Sequence, residues 1–189
     1  VTRGRPRDPD LERRVFDAVI EVYAETGWAG FTLDAVARRA RVGRAALYSR
    51  WSGKAALLVQ ALEVRSPLPV PVDTGTVRGD LTELARQLLD GYTGPAGLVT
   101  LRAAMEARVH PELLAGLTQT LNTSRLLAAR EIVRRGIARG ELPVGTPTTL
   151  LLELVTGAVL SHVLFAPAGP RDPAYADVVV DAALRAVRP

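Results

Sequence analysis

Residues 44 to 49 read Arg-Ala-Ala-Leu-Tyr-Ser, with Thr32 upstream and Lys54 downstream. An arginine here can donate two parallel hydrogen bonds to O6 and N7 of guanine. The methyl group of Ala45 can touch the methyl of thymine, and the hydroxyl of Ser49 can donate or accept at a base edge. Thr32 and Lys54 stand where helices are expected to begin. Free backbone N–H groups and the helix dipole favour a phosphate at such places. Such a set could recognise double-stranded DNA if one element carried it into a groove. The chain shows no nucleophile beside a base, no Gly-rich phosphate loop and no metal-ligand spacing, so catalysis is not expected.

These side chains need an element that carries them into the major groove. The stretch Phe31–Leu58, FTLDAVARRARVGRAALYSRWSGKAALL, supplies it. Thr32 can cap a first helix, with Phe31 and Val36 as a hydrophobic staple. Ala35, Val36 and Ala40 share one side of that helix, while Arg38, Arg39 and Arg41 face outward. Val42 closes a tight turn, and Arg44–Trp51 forms a second helix on the apolar Leu47. Ser52 can cap a third helix opening on Lys54. Two short helices joined by such a turn form a helix-turn-helix, whose second helix lies in the major groove.

The pattern T-L-D-A-V-A-x-x-A-x-V-x-x-x-x-L-Y-x-x-W-x-x-K-x-x-L-L resembles the tetracycline-repressor (TetR) family of bacterial transcription regulators. It is carried by Thr32, Leu33, Val36, Ala37, Ala40, Val42, Leu47, Tyr48, Trp51, Lys54, Leu57 and Leu58. The resemblance implies phosphate contacts at Thr32, Tyr48 and Lys54, joined by Trp51. Two departures stand out. The family usually has Gly where Arg41 stands, and a non-glycine residue with φ > 0 would cost about 1 kcal/mol there. It also favours Ser or Thr at Gly43 and often Glu at Ala55, so capping of the second and third helices is weaker than usual.

Upstream, Arg3-Gly4-Arg5-Pro6-Arg7 forms a basic arm suited to a narrow minor groove, led by Arg3 and Arg5. Asp8-Pro9 starts a helix in which Leu11, Val15, Ala18, Val19 and Val22 follow helical spacing, and Gly27 ends it. Trp28 and Phe31 are expected to plug the joint beneath the reading helices. Pro67, Pro69 and Pro71 then break regular structure, which places a domain boundary between residues 65 and 66. Residues 1–65 hold 12 Lys+Arg and 8 Asp+Glu, a net of +4. Residues 66–189 hold 12 of each, so the whole positive excess lies with the DNA reader.

Residues 66–189 read as five further helical stretches, and the chain as all-α with about nine helices. A helix over 147–165, after Thr146 as cap, is apolar nearly all round and must be covered on every side. The family resemblance implies a homodimer through a four-helix bundle. Its interface residues would be Leu151, Val155, Ala158, Val159 and His162 with Val179, Ala182 and Ala186 of the last helix. A two-fold dimer also suits a palindromic operator. The resemblance further implies a small effector bound among the helices from about 76 to 165. Leu98, Leu101, Met105 and Leu121 are the candidate apolar walls, and Arg102, Ser124, Glu153 and Thr156 the candidate polar contacts, which suits a mostly apolar molecule. The competing expectation is a DNA- or protein-binding module on the same scaffold without an effector.

Cysteine is absent and the two histidines, His110 and His162, are far apart, so neither a disulfide nor a metal site is expected. His110-Pro111-Glu112 reads as a turn opening a helix over 111–139. No cofactor is implied. The apolar stretch 150–165 is interrupted by Glu153 and His162 and falls short of the ~20 residues of a membrane span. A cytoplasmic location is the expectation.

Overall fold

The computed structural model describes residues 10–66, 70–113, 123–166 and 172–187, with the backbone alone for 123–128. The described residues are helical and contain no strand. Two compact units divide the chain: Val1–Pro67 with Leu98–Thr118, and Leu68–Gly97 with Gln119–Pro189. The break after residue 67 lies beside the boundary expected at 65/66. The segment 98–118 departs from it, because that segment packs with the first unit.

In the first unit, α1 (Leu11–Gly30), α2 (Leu33–Ala40), α3 (Arg44–Tyr48) and α4 (Lys54–Arg65) enclose one apolar core. The helical spacing of α1 places Val15, Ala18, Val19 and Val22 inside. From α4, Leu57, Leu58, Ala61 and Leu62 meet them, with no exposed surface. Phe16 stands edge-on to Trp51 and Tyr23 edge-on to Phe31, at ring distances of 6.1 and 5.5 Å. Ion pairs rim this core. Arg39 of α2 binds Glu21 and Glu25 of α1 at 2.9 and 2.7 Å, and Arg65 of α4 binds Asp17 at 2.8 Å.

Gly27 breaks α1 with φ 60°, a conformation that favours glycine. A side chain there would also collide with Arg102 and Glu106 of α6 (Gly97–Glu106). The Glu106 carboxylate accepts hydrogen bonds from the Tyr23 hydroxyl and, at 2.9 Å, from the backbone N–H of Trp28. Arg102 binds Glu106 at 3.2 Å and donates to the carbonyl of Ala24 at 2.9 Å. Glu112 accepts the indole N–H of Trp28 at 2.8 Å. These bonds explain why 98–118 joins the first unit. Burial raises the pKa of Glu106, but the bonds from Tyr23, Trp28 and Arg102 outweigh it and hold the carboxyl below its usual range.

In the second unit, α5 (Val77–Thr93), α7 (Thr123–Ala138), α8 (Thr148–Phe165) and α9 (Tyr175–Ala186) share a second core. Thr76 caps α5 by accepting from the N–H of Gly79 at 3.0 Å. Val77, Leu81, Leu84, Ala85 and Leu88 point inward, as their spacing requires. Asp80 lies fully buried beside them and binds Arg135 at 3.0 Å and Arg139 at 3.5 Å. It also accepts from the backbone N–H and hydroxyl of Thr74, at 2.6 and 2.8 Å.

Helix α8 differs from its expected role. At 18 residues and mean hydropathy 1.7 it is long and apolar enough to cross a membrane by length and composition alone, a test that core helices also pass. Its inner edge, Leu151, Leu152, Val155 and Val159, is nevertheless embedded in the core of its own unit. Leu151, Val155 and Val159 therefore leave the expected interface set, because each is wholly enclosed by its own chain. The outer edge carries Leu150, Leu154, Leu164 and Phe165, all exposed. Thr146 does not cap α8; its hydroxyl turns back to the carbonyl of Pro143 at 2.7 Å.

Candidate nucleic-acid interface

The first unit holds α3 out as a short rod fixed at one point. Leu47 is completely buried, whereas Arg44, Ala45, Tyr48 and Ser49 are exposed around it. The aromatic ring of Tyr48 is the telling case, since a tyrosine with 60% of its surface in water is not a core residue. The hydroxyl of Ser49 donates locally to the carbonyl of Ala46 at 3.2 Å and keeps its acceptor lone pairs.

The turn before α3 takes the conformation anticipated for it. Arg41 ends α2 with φ 55° and ψ 46°, and it is the one non-glycine residue with positive φ among the described residues. Gly43 precedes α3 without a side-chain cap. Thr32 caps α2 by accepting from the N–H of Ala35 at 3.1 Å. Gly53, rather than Ser52, precedes α4, again without a side-chain cap.

Two expected contacts look different in three dimensions. Trp51 is 5% exposed; its indole N–H binds Gln60 at 2.6 Å and its ring packs on Phe16. It supports α3 from below and is withdrawn from the DNA-contact set. Lys54 lies half-buried with its ammonium 2.9 Å from the carbonyl of Trp28 and 4.0 Å from the centroid of that ring. One of its three donors is thereby engaged and two remain. Arg3 and Arg5 lie outside the described residues.

Arg44 has a partner that the sequence analysis did not assign. Its Nη1 lies 3.0 Å from Oδ2 of Asp34, the second residue of α2. Both residues open their helices, ten positions apart, which is the one cue in the sequence to their proximity.

The expected effector residues are divided between the two units. Leu98 and Met105 are 62% and 64% exposed on α6, and Leu101 between them is half-buried. On α6 itself Val99 and Ala103 are buried, and Ala107 just beyond it. Arg102 is taken up by Glu106 and Ala24, which removes it as a free polar contact. In the second unit Glu153 is exposed, and the hydroxyl of Thr156 returns to the carbonyl of Leu152 at 2.8 Å. Leu121 and the side chain of Ser124 lie outside the described residues. Of the expected interface residues, Ala182 and Ala186 are exposed and Ala158, His162 and Val179 half-exposed. The His162 ring stacks 4.0 Å from that of Tyr175, whose hydroxyl donates to the carbonyl of Ala158 at 2.9 Å.

Comparison with known proteins agrees with this geometry in both units. Residues 15–61 match the family "Bacterial regulatory proteins, tetR family", and residues 71–183 match "Tetracyclin repressor-like, C-terminal domain". The HTH-type transcriptional regulator AqdR of Rhodococcus erythropolis is 33% identical over 162 residues, covering 85% of this chain and 78% of that protein. The crystal structure of the TetR family transcription regulator SCO0332 is 28% identical, covers 95% of this chain and all of that one, and superposes with a TM-score of 0.63. MexZ, a repressor responsible for antibiotic resistance in Pseudomonas aeruginosa, shares the fold with a TM-score of 0.76 at 18% identity, covering 96% of each chain. The exposed α3, the left-handed turn before it and these matches lead to one conclusion: the chain belongs to the TetR family and is a helix-turn-helix, DNA-binding transcriptional regulator.

Proposed function

We propose that the protein is a homodimeric repressor that holds a palindromic operator and releases it when a small, mostly apolar effector binds. The observation that carries the DNA half is the exposure of Arg44, Ala45, Tyr48 and Ser49 around a fully buried Leu47. Arg44 and Ala45 read base edges at the start of α3, with Ser49 further along. Thr32, Tyr48 and Lys54 hold phosphates, the first and last from helix N-termini. The basic arm, through Arg3 and Arg5, follows the adjacent minor groove. The protein acts in the cytoplasm, where bacterial DNA lies.

The dimer is supported by the outer face of the second unit. Leu150, Leu154, Leu164 and Phe165 of α8 and Val178 of α9 are exposed, and Ala182 and Ala186 continue the strip. A face so apolar is stable in water when a second copy covers it. The remaining interface residues are then Ala158, His162 and Val179.

The effector half is supported by the strip Leu98, Leu101 and Met105, which offers uncovered apolar surface on α6. The same helix carries Arg102 and Glu106, which grip the end of α1. Occupancy that shifts α6 would therefore shift the helix on which the reading head is built.

Recovery of genomic fragments bound by the purified protein tests the whole reading. The expected sites are inverted half-sites whose centres lie about one or two helical turns apart. Lys54→Ala should weaken binding to every sequence and flatten the salt dependence by about one unit. Fragments bound without sequence preference, or single unrepeated sites, would overturn the operator reading.

A further inference from the structure

An exposed arginine is a flexible reader. Its long side chain loses rotamer freedom when it docks on a base, and a wandering guanidinium also finds phosphates at every sequence. Arg44 is 64% exposed at its side chain, and Asp34 Oδ2 stands 3.0 Å from its Nη1 as an ion-pair partner. The acids of α1 in the same unit are committed elsewhere: Glu21 and Glu25 to Arg39, and Asp17 to Arg65.

The other oxygen of Asp34 supplies a second observation. Oδ1 is buried and has no hydrogen-bond partner. An acceptor buried without a donor gains nothing for folding. The remaining oxygen, Oδ2, is the one that faces Arg44. With Nη1 held there, the Nε–Nη2 edge of the guanidinium remains as a two-donor fork. That fork matches the paired acceptors O6 and N7 of guanine.

We infer that Asp34 is a positioning residue for DNA reading: it holds the Arg44 guanidinium so that its free edge selects a guanine in each operator half-site. This deepens the proposed function and rests on α3 being the recognition helix. Asp34 touches no base in this arrangement and acts through Arg44.

The test is selection of bound sites from a random duplex pool with the full chain, comparing wild type, Arg44→Ala, Asp34→Ala, Asp34→Asn and the Asp34→Ala/Arg44→Ala double variant. Arg44→Ala should erase a guanine preference at one position of each half-site. Asp34→Ala should reduce the preference at that same position about tenfold and leave the other positions intact. Because it removes a negative charge, it should bind random DNA as tightly as wild type or more so. The double variant should lose no more than Arg44→Ala alone, as expected when two residues act through one contact. Asp34→Asn keeps the shape of the side chain without its charge and gives the same readout where Asp34→Ala fails to fold. Retained guanine preference in the Asp34 variants overturns the inference. So does an equal loss at every position together with a lowered Tm, the pattern of a carboxylate that serves only the dipole of α2. A wild-type protein that recovers no motif would instead overturn the DNA-binding reading itself, before any variant is examined.

Discussion

Helix α3 exposes an arginine, an alanine, a tyrosine and a serine around one buried leucine, whereas α8 exposes three leucines and a phenylalanine around four buried residues. Each helix is anchored by an apolar edge on the core of its own unit. They differ in the surface left outside. Water and phosphate suit the outer side of α3, where charge and hydrogen-bonding groups gather. The outer side of α8 is mostly apolar instead. A helix with apolar residues on both edges need not be strongly amphipathic.

The largest expected effect comes from charging that outer side. Leu154→Glu would bring two carboxylates into the proposed interface while leaving the inner residues Leu151, Val155 and Val159 untouched. Sedimentation should then show a monomer. Operator affinity should fall about 100-fold or more, because two linked reading heads bind far more tightly than one. A variant that stays dimeric with full operator affinity would break the contrast between the two helices.

A smaller effect should follow from loosening the second unit from within. Asp80 is completely buried, and burial raises its pKa; the bonds from Thr74 and Arg135 outweigh that and hold it below the usual carboxylate value. A depressed folded pKa means that the stabilisation is fully present above the unfolded value near pH 4 and is lost as pH falls through the folded one. Asp80→Asn should cost about 3 kcal/mol in urea unfolding at pH 7, since Arg135 and Arg139 lose their shared partner. The gap between variant and wild type should narrow as the pH is taken below about 4. A gap independent of pH would show that the loss is one of shape rather than charge.

The contrast also marks where sequence was readable. The cores of α1, α2, α4 and α5 could be read from spacing, because one wrong face would have buried polar residues. On α6 the larger side chains Leu98 and Met105 stood out as apolar walls of an effector site, yet they are exposed and Val99 and Ala103 are inside. On α8 it could not separate Leu151 from Leu150 or Val155 from Leu154, since apolar residues on both edges carry no phase. Trp51 matched a family position, but its burial depends on Phe16 and Gln60 in other helices. The pairs Asp34–Arg44 and Glu106–Trp28 were hidden for a similar reason. Polar contacts between distant positions leave no periodic trace.

The smallest predicted effect tests the turn that aims α3. Arg41 holds φ 55° and ψ 46°, where a side chain crowds its own backbone and glycine does not. Its N–H reaches the carbonyl of Arg38 at 3.3 Å, and that of Val42 reaches Ala37 at 3.0 Å, so the geometry is set by bonds that a substitution would keep. Arg41 is exposed, so removal of its side chain creates no cavity. Arg41→Gly should therefore raise stability by up to about 1 kcal/mol in denaturant unfolding, offset in part by the greater freedom of glycine in the unfolded chain. Sequence preference at the position read by Arg44 should not change, because the turn keeps its shape. A lower stability would mean that the Arg41 side chain holds the turn by contacts of its own, and the reading head would then depend on its surface as well as on its core.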